Sequence, residues 1–288
     1  MSAFEYDSAE QRRILGVFRD LIRARELLRD LVWKDLRVRY RYAVLGFLWA
    51  VVEPLALMLV LTFIFTFVFQ AKAKLLGADE ARPYAVTLLC GLIFWQYLAT
   101  AVSGATQSLV DNQNLVKKVH FAREAVPLAA VLFPLVNLGI GAAALAVLHL
   151  ALGGGLDGEL LWVPIVFAVQ LALAAGLALL FSCGHVHFRD VGNMVAVALT
   201  FGFYASPVLY ELDFVRAAAL SEGVPDWLAT AYLANPMAGI IACYRGALFE
   251  ELAFEPALLA WPTLCAALCL AAGGAVFRRA GPTLSDYL

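Results

Sequence analysis

At 288 residues, 62% of them apolar and 15% charged, with a mean hydropathy of +0.79, the chain is too apolar for a water-soluble domain, which runs nearer ~45–50% apolar and ~25% charged. The net charge of −2 says less than where the charges fall, and no nucleic-acid partner is expected. The five cysteines, Cys90, Cys183, Cys243, Cys265 and Cys269, show neither disulfide nor metal-ligand spacing and read as small packing residues.

The amino end is polar and charged and carries no signal peptide, so it is expected to stay on the side where it is made. Within residues 12–42, Leu15, Phe18, Ile22, Leu28, Leu31 and Val32 can share one helical face, while Arg19, Arg23, Arg29 and Lys34 lie elsewhere. That is the pattern of an amphipathic helix lying in the membrane interface, its cations on anionic head groups. The run from Lys34 to Tyr42 is denser in charge than an anchor needs. Arg37, Arg39 and Arg41 alternate with Val38, Tyr40 and Tyr42 where the chain enters the bilayer. Two readings stay open there: a lipid anchor that fixes topology, or a gate for an anionic, lipid-linked substrate.

Six stretches are long enough to cross ~30 Å of hydrocarbon as helices: about 45–69, 84–105, 125–152, 160–183, 191–210 and 257–277. Only the first holds a charge, Glu53, which is followed by Pro54. An intramembrane carboxylate is a functional suspect, and both pairing with the basic entrance and lining a substrate path are open to Glu53 and its neighbour Trp49. The chain thus divides into a cytoplasmic region, 1–44, and a membrane domain, 45–288. A seventh apolar stretch, 227–249, is broken by Asn235-Pro236 and carries Arg245. Two short helices that dip in from the outer face and return fit it better than a crossing. Sixteen of the 21 Lys and Arg then fall on one side, against Lys72, Lys74, Arg82, Arg216 and Arg245 on the other. Both termini are therefore expected in the cytoplasm, with the chain in a bacterial inner membrane.

Between spans two and three, Asp111 and Asn112 are suited to cap a short helix that Lys117 and Lys118 would close. Its residues Leu115, Val116 and Val119 form an apolar stripe that needs either a partner surface or the chain's own spans. The His185-Val186-His187 pair has no accompanying ligand set and reads as interfacial. Aromatic residues crowd the span ends and faces, among them Phe94, Trp95, Tyr97, Phe201, Phe203 and Tyr204, suiting either a lipid belt or a conduit for sugars.

No phosphate-binding loop, catalytic triad or carboxylate pair is present. An enzyme is not expected, no cofactor is expected on this chain, and ATP with Mg would be used by another polypeptide. A self-contained secondary transporter would want intramembrane acids or inverted repeats, which the sequence does not offer. A membrane glycosyltransferase would have only Asp213, Glu222 and Asp226 as acidic candidates.

Ordered along the chain stand Lys34-Asp35-Leu36-Arg37-Val38-Arg39-Tyr40, Leu45-Gly46-Phe47-Leu48-Trp49-Ala50 with Glu53-Pro54-Leu55, Asn114-Leu115-Val116-Lys117-Lys118-Val119 with Phe121 and Arg123-Glu124, Phe188-Arg189-Asp190-Val191, Ser206-Pro207-Val208-Leu209-Tyr210, and Asn235-Pro236 with Tyr244-Arg245. In this combination the chain resembles the membrane subunits of ABC-2 type exporters, specifically the polysaccharide-export permeases of O-antigen, capsule and teichoic acid. The resemblance implies an all-α, six-span subunit that forms a homodimer with two separate nucleotide-binding ATPase subunits, and a channel for a lipid-linked glycan. It makes 12–42 the interface helix; the residues of the basic, aromatic entrance offer Arg37, Arg39, Tyr40, Arg41, Tyr42, Trp49 and Glu53 as the candidate substrate gate. It makes 111–121 the coupling helix, with Asn114 to Phe121 (including Val119 and His120) meeting the ATPase. It also places re-entrant helices after span five, with Phe201, Tyr204, Ser206, Pro207, Tyr210, Asn235 and Pro236 at the channel or outer gate. Ala122 departs from the family's Phe-Pro-Arg-Glu run. A related exporter of a lipid or a drug is the alternative within the same family.

Overall fold

The computed structural model describes residues 25–41, 46–68, 84–118, 121–155, 158–219, 226–249, 252, 254–281 and 284–287; among them there are helices and no strands. Five helices are long and apolar enough to cross a membrane: Trp49–Phe67, Tyr84–Asp111, Ala125–Ala151, Gly158–His187 and Pro256–Ala280. All-helical spans follow from the solvent, since in hydrocarbon every backbone group needs a partner within its own segment.

In chain order, α1 (Arg25–Tyr40) precedes α2 (Trp49–Phe63), whose last turn widens into a π-helical stretch over Ile64–Val68. Next come α3 (Tyr84–Asp111) and the short α4 (Gln113–Lys118). The third span is two helices, α5 (Ala125–Leu132) and α6 (Leu135–Ala151), offset at Phe133-Pro134, as a proline inside a helix requires. The fourth is α7 (Val163–His187), entered through a 3₁₀ turn at Gly158–Trp162.

Where a fifth span of 191–210 is expected, α8 covers only Val191–Tyr204. Its 14 residues rise ~21 Å, short of a full crossing. The chain then turns through 205–210, because Pro207 keeps Ser206 out of helical geometry. The expected interruption at Asn235-Pro236 is present: α9 (Leu212–Ala219) and α10 (Asp226–Leu233) lead to α11 (Pro236–Leu248). The Asn235 carboxamide oxygen accepts from Met237 N–H at 3.0 Å, a side-chain N-cap with proline at the first helical position. A last span, α12 (Ala260–Ala280), and a one-turn α13 (Leu284–Tyr287) complete the described chain.

α3 is the hub. It packs against α2, α5, α6, α7, α8 and α11, and 78% of its apolar window is buried, against 6% for the first span. α7 and α12 lie against each other at backbone distance: a Cβ on Gly176 would stand 2.5 Å from the Cys269 carbonyl carbon, and one on Gly273 would stand 2.6 Å from Gly176 O. Small residues that let backbones touch are the usual glue between helices in lipid. A second core joins Leu28 and Leu31 of α1 to Leu109, Val116, Ala125, Val126, Val186, Phe277 and Leu284.

Candidate functional site: an entrance, a polar groove and an outer cap

At one end of the hub, α1 lays Leu28, Leu31 and Leu36 inward and keeps Arg25, Arg29, Lys34 and Arg37 exposed. Residues 12–24 and Tyr42 lie outside the described residues, as do the side chains of Arg39 and Tyr40. Arg37, Arg41, Trp49 and Glu53 are all exposed. Of the expected gate residues whose side chains are described, Glu53 reaches a cavity. It lines a pocket between the first three spans with Gln96, Thr100 and Asn137, and makes no ion pair among the described residues.

A larger cavity of about 670 Å³ opens beside it between α1, α3, the start of the third span, and α8. Its mouth is formed not by the arginine run but by Lys34, Asp35 and Val38 of α1, with Asp111 and Asn112 facing them. The Lys34 ammonium donates to the Asn112 carboxamide oxygen, and the Asn112 amide donates to Ser108 O at 2.8 Å. Half-burial pushes the Asp35 carboxyl above the usual carboxylate value; Lys34 works against that shift and Asp111 adds to it. Sequence reasoning quoted Lys34 and Asp35 as motif letters without placing them at a mouth. Their signal is helical spacing: Lys34 and Val38, one turn apart, share a face, with Asp35 beside it.

The short helix between the second and third spans is present as α4, but Asp111 is the last residue of α3, and Asn112 makes the break through its carbonyl, which accepts from Leu115 and Val116 N–H. Of its apolar stripe, Val116 is 2% exposed in the second core, and the half-buried Leu115 packs on that core with Phe121. Asn114, Lys117 and Lys118 are exposed, while Val119 and His120 lie outside the described residues. Arg123, next to the departing Ala122, donates to Gly281 O and so ties this loop to the end of α12. His185 accepts from Gly192 N–H, and His187 contacts Cys183 O and the Tyr287 ring.

At the opposite end, the expected outer residues divide. Ser206 and Pro207 are buried, and the Asn235 amide donates to Ala205 O at 3.0 Å and to Ser206 Oγ at 2.8 Å, so the 205–210 turn is stitched to the α10–α11 break beside Pro236. The Tyr210 hydroxyl donates to Tyr204 O. Phe201 and Tyr204 instead point away, 72% and 64% exposed. The residue that sequence reasoning missed is Arg245, counted there only as an outer charge and a motif letter. It is 2% exposed, and its guanidinium donates to Tyr210 O at 2.7 Å, Val208 O at 3.0 Å and Thr87 O at 3.1 Å. A fork with five donors suits several backbone carbonyls at once. Gly91 makes room for this clasp: a Cβ there would meet Val208 O at 2.6 Å. One turn deeper, Tyr244 stacks on Phe94 at 3.5 Å between ring centroids and donates to Gln170 Oε1, while the Gln170 amide donates to Phe94 O. Phe94, Trp95 and Tyr97 are therefore core residues, not an aromatic belt.

A mouth of mixed charge and a polar groove thus lie toward one end of the hub, and a turn latched by Arg245 lies toward the other. The ABC-2 type transporter family model matches residues 26–249, a range that includes α1, the groove and Arg245. Two relatives are O-antigen export system permease proteins RfbA. That of Myxococcus xanthus is 28% identical over 238 residues, covering 83% of this chain and 86% of that protein. One from Klebsiella pneumoniae is 28% identical over 223 residues, covering 76% and 79%. With five helices fit to cross a bilayer and a family match over most of its length, the chain is a multi-pass membrane protein and belongs to the ABC-2 type transporter family.

Proposed function

We propose that the chain is the permease subunit of an ATP-driven exporter that moves a lipid-linked, O-antigen-like polysaccharide across the bacterial inner membrane. The observation that carries this reading is the match to O-antigen export permeases over about four-fifths of both partners' lengths. In this reading α8 serves as a sixth crossing together with the turn that follows it, α10 and α11 are re-entrant at the outer face, and both termini are cytoplasmic. Two copies form the pore. Support comes from the first span and α8, which leave Leu59, Phe63, Met194, Val197 and Phe201 exposed, more apolar surface than a single copy covers and suited to a second copy or to lipid. Two ATPase subunits bind below, where Asn114, Lys117 and Lys118 offer a polar, cationic surface; ATP and Mg belong to them.

The test is to express the chain with the ATPase encoded beside it in a strain lacking its own O-antigen exporter. Recovery of surface polysaccharide and of a complex with two copies of each subunit is expected. Joint Lys117→Glu and Lys118→Glu substitution is expected to cut ATPase recovery at least tenfold with normal membrane insertion. Export without any ATPase, or undiminished ATPase capture by the doubly substituted chain, counts against the reading.

A further inference from the structure

The hub helix α3 is buried on most of its circumference, yet one face of its cytoplasmic half is polar. Gln96, Thr100, Ser103, Gly104, Gln107 and Asp111 fall within an arc of about 100° at 100° per residue. Gln96, Gly104, Gln107 and Asp111 are exposed and Thr100 and Ser103 half-buried, and five of the six line the large groove. Gln96 lies ~18 Å from the Tyr84 end, so the stripe runs from mid-membrane depth to the cytoplasmic mouth.

Within the half of α3 that carries it, hydrogen bonding separates this face from its surroundings. The buried hydroxyls of Thr106 and Ser108 satisfy themselves on carbonyls of their own helix, Val102 O at 2.7 Å and Ala105 O at 2.7 Å. Among the described residues, the side chains of Gln96, Thr100, Ser103 and Gln107 have no protein hydrogen-bond partner. Four such groups facing acyl chains would each carry the penalty of an unpaired polar atom in hydrocarbon. Water or a hydroxyl-bearing ligand removes it. Gly104, in the middle of the stripe, has nothing within 4 Å of where a Cβ would stand, so the wall is also open there.

We propose that this face of α3 is a hydrated binding wall, open to the cytoplasm between Lys34–Asp35 and Asp111–Asn112, that receives a polyhydroxylated solute by exchanging side-chain amide and hydroxyl hydrogen bonds with it. The solute's identity as a lipid-linked glycan rests on the exporter reading; the hydration of the wall does not. Bonding through uncharged amides and hydroxyls suits sugar hydroxyls and gives no fixed register, which a moving chain of repeating units requires.

The experiment uses the full chain with its ATPase, the native five cysteines replaced, and single cysteines at Thr100, Ser103 and Gln107. Inverted membrane vesicles are treated with a membrane-impermeant cationic methanethiosulfonate, with Val102 and Ala105 (protein-buried) and Val147 (exposed on the third span) as comparison positions. The stripe positions are expected to react at least tenfold faster than Val147. Rates equal to that of Val147 overturn the proposal by showing a lipid-filled groove. Gly104→Leu then projects into open space, so the fold is kept while the wall is obstructed. Export of O-antigen polysaccharide is expected to fall at least tenfold with ATPase association unchanged. Fast thiol reaction with full export by Gly104→Leu overturns the binding role. Failure of the parent complex to export any glycan refutes the exporter reading and the glycan as ligand, while the thiol rates still decide hydration.

Discussion

The hub and the first span are both apolar helices of a length to cross a membrane, and they differ in what covers them. α3 reads 1.7 in mean hydropathy over its window and is 78% buried; the Trp49–Phe67 span reads 2.2 and is 6% buried. Hydropathy alone ranks them the wrong way round for a water-soluble protein, where the more apolar helix goes inside. In lipid there is no such drive, so position is decided by shape and hydrogen bonding. α3 is held by Gly91 under Val208, by Gln170 on Phe94 O and by the ring stack of Phe94 on Tyr244. The first span has no counterpart to that polar latch among the described residues.

The comparison breaks most sharply at Arg245. Arg245→Met strands three carbonyls under a closed cap and is expected to cost about 3 kcal/mol or more. It should be read as a shortened inactivation half-life in detergent, with Val147→Ala, exposed on the third span, unchanged beside it. Equal half-lives for the two variants would show that the clasp holds nothing. Gly176→Val drives α7 off α12 and is expected to cost about 1–3 kcal/mol by overpacking, measured as thermal unfolding of the purified subunit. A smaller loss, about 1 kcal/mol, is expected of Tyr244→Phe, which keeps the stack and drops one hydrogen bond. The smallest belongs to the exposed bridge at the outer rim, where Arg216 donates to both Glu255 oxygens at 2.8 and 2.9 Å. The Arg216 hydrogen bond holds the Glu255 carboxyl below its ordinary value. A depressed acid contributes its stability above the unfolded-state value, about 4.5, and loses it as pH falls through the lower folded one. Glu255→Gln should therefore cost under ~1 kcal/mol at pH 7, and the difference from the parent should vanish only in strong acid, by thermal unfolding across pH.

The helical class, five of the long spans and the break at Asn235-Pro236 were legible in the sequence because each follows from one-dimensional pattern: run length and a cap before proline. Where span five stops was less legible, because Pro207 sits inside a continuous apolar run and hydropathy passes over it. An apolar stripe does not say which surface covers it, so the place of Val116 in the chain's own core is not legible from the sequence. Arg245 was hidden for a different reason. A lone arginine near a span end looks like an interfacial charge, and only contacts across 158 positions of sequence reveal it as a clasp. The α3 stripe was in plain view as Gln96, Thr100, Ser103 and Gln107 but had no meaning until the buried Thr106 and Ser108 beside it showed what satisfied hydroxyls on this helix look like.

The same clasp sets an order for biogenesis. Thr87 leaves the ribosome 158 residues before Arg245, an interval on the order of 10–30 s at ordinary bacterial and eukaryotic synthesis speeds. Within that interval the helix α7 and the turn at Val208 are made first, and the guanidinium follows only with α11. A chain cut short before Arg245 leaves the Thr87, Val208 and Tyr210 carbonyls without their shared donor, so the clasp closes only when its last part has been made.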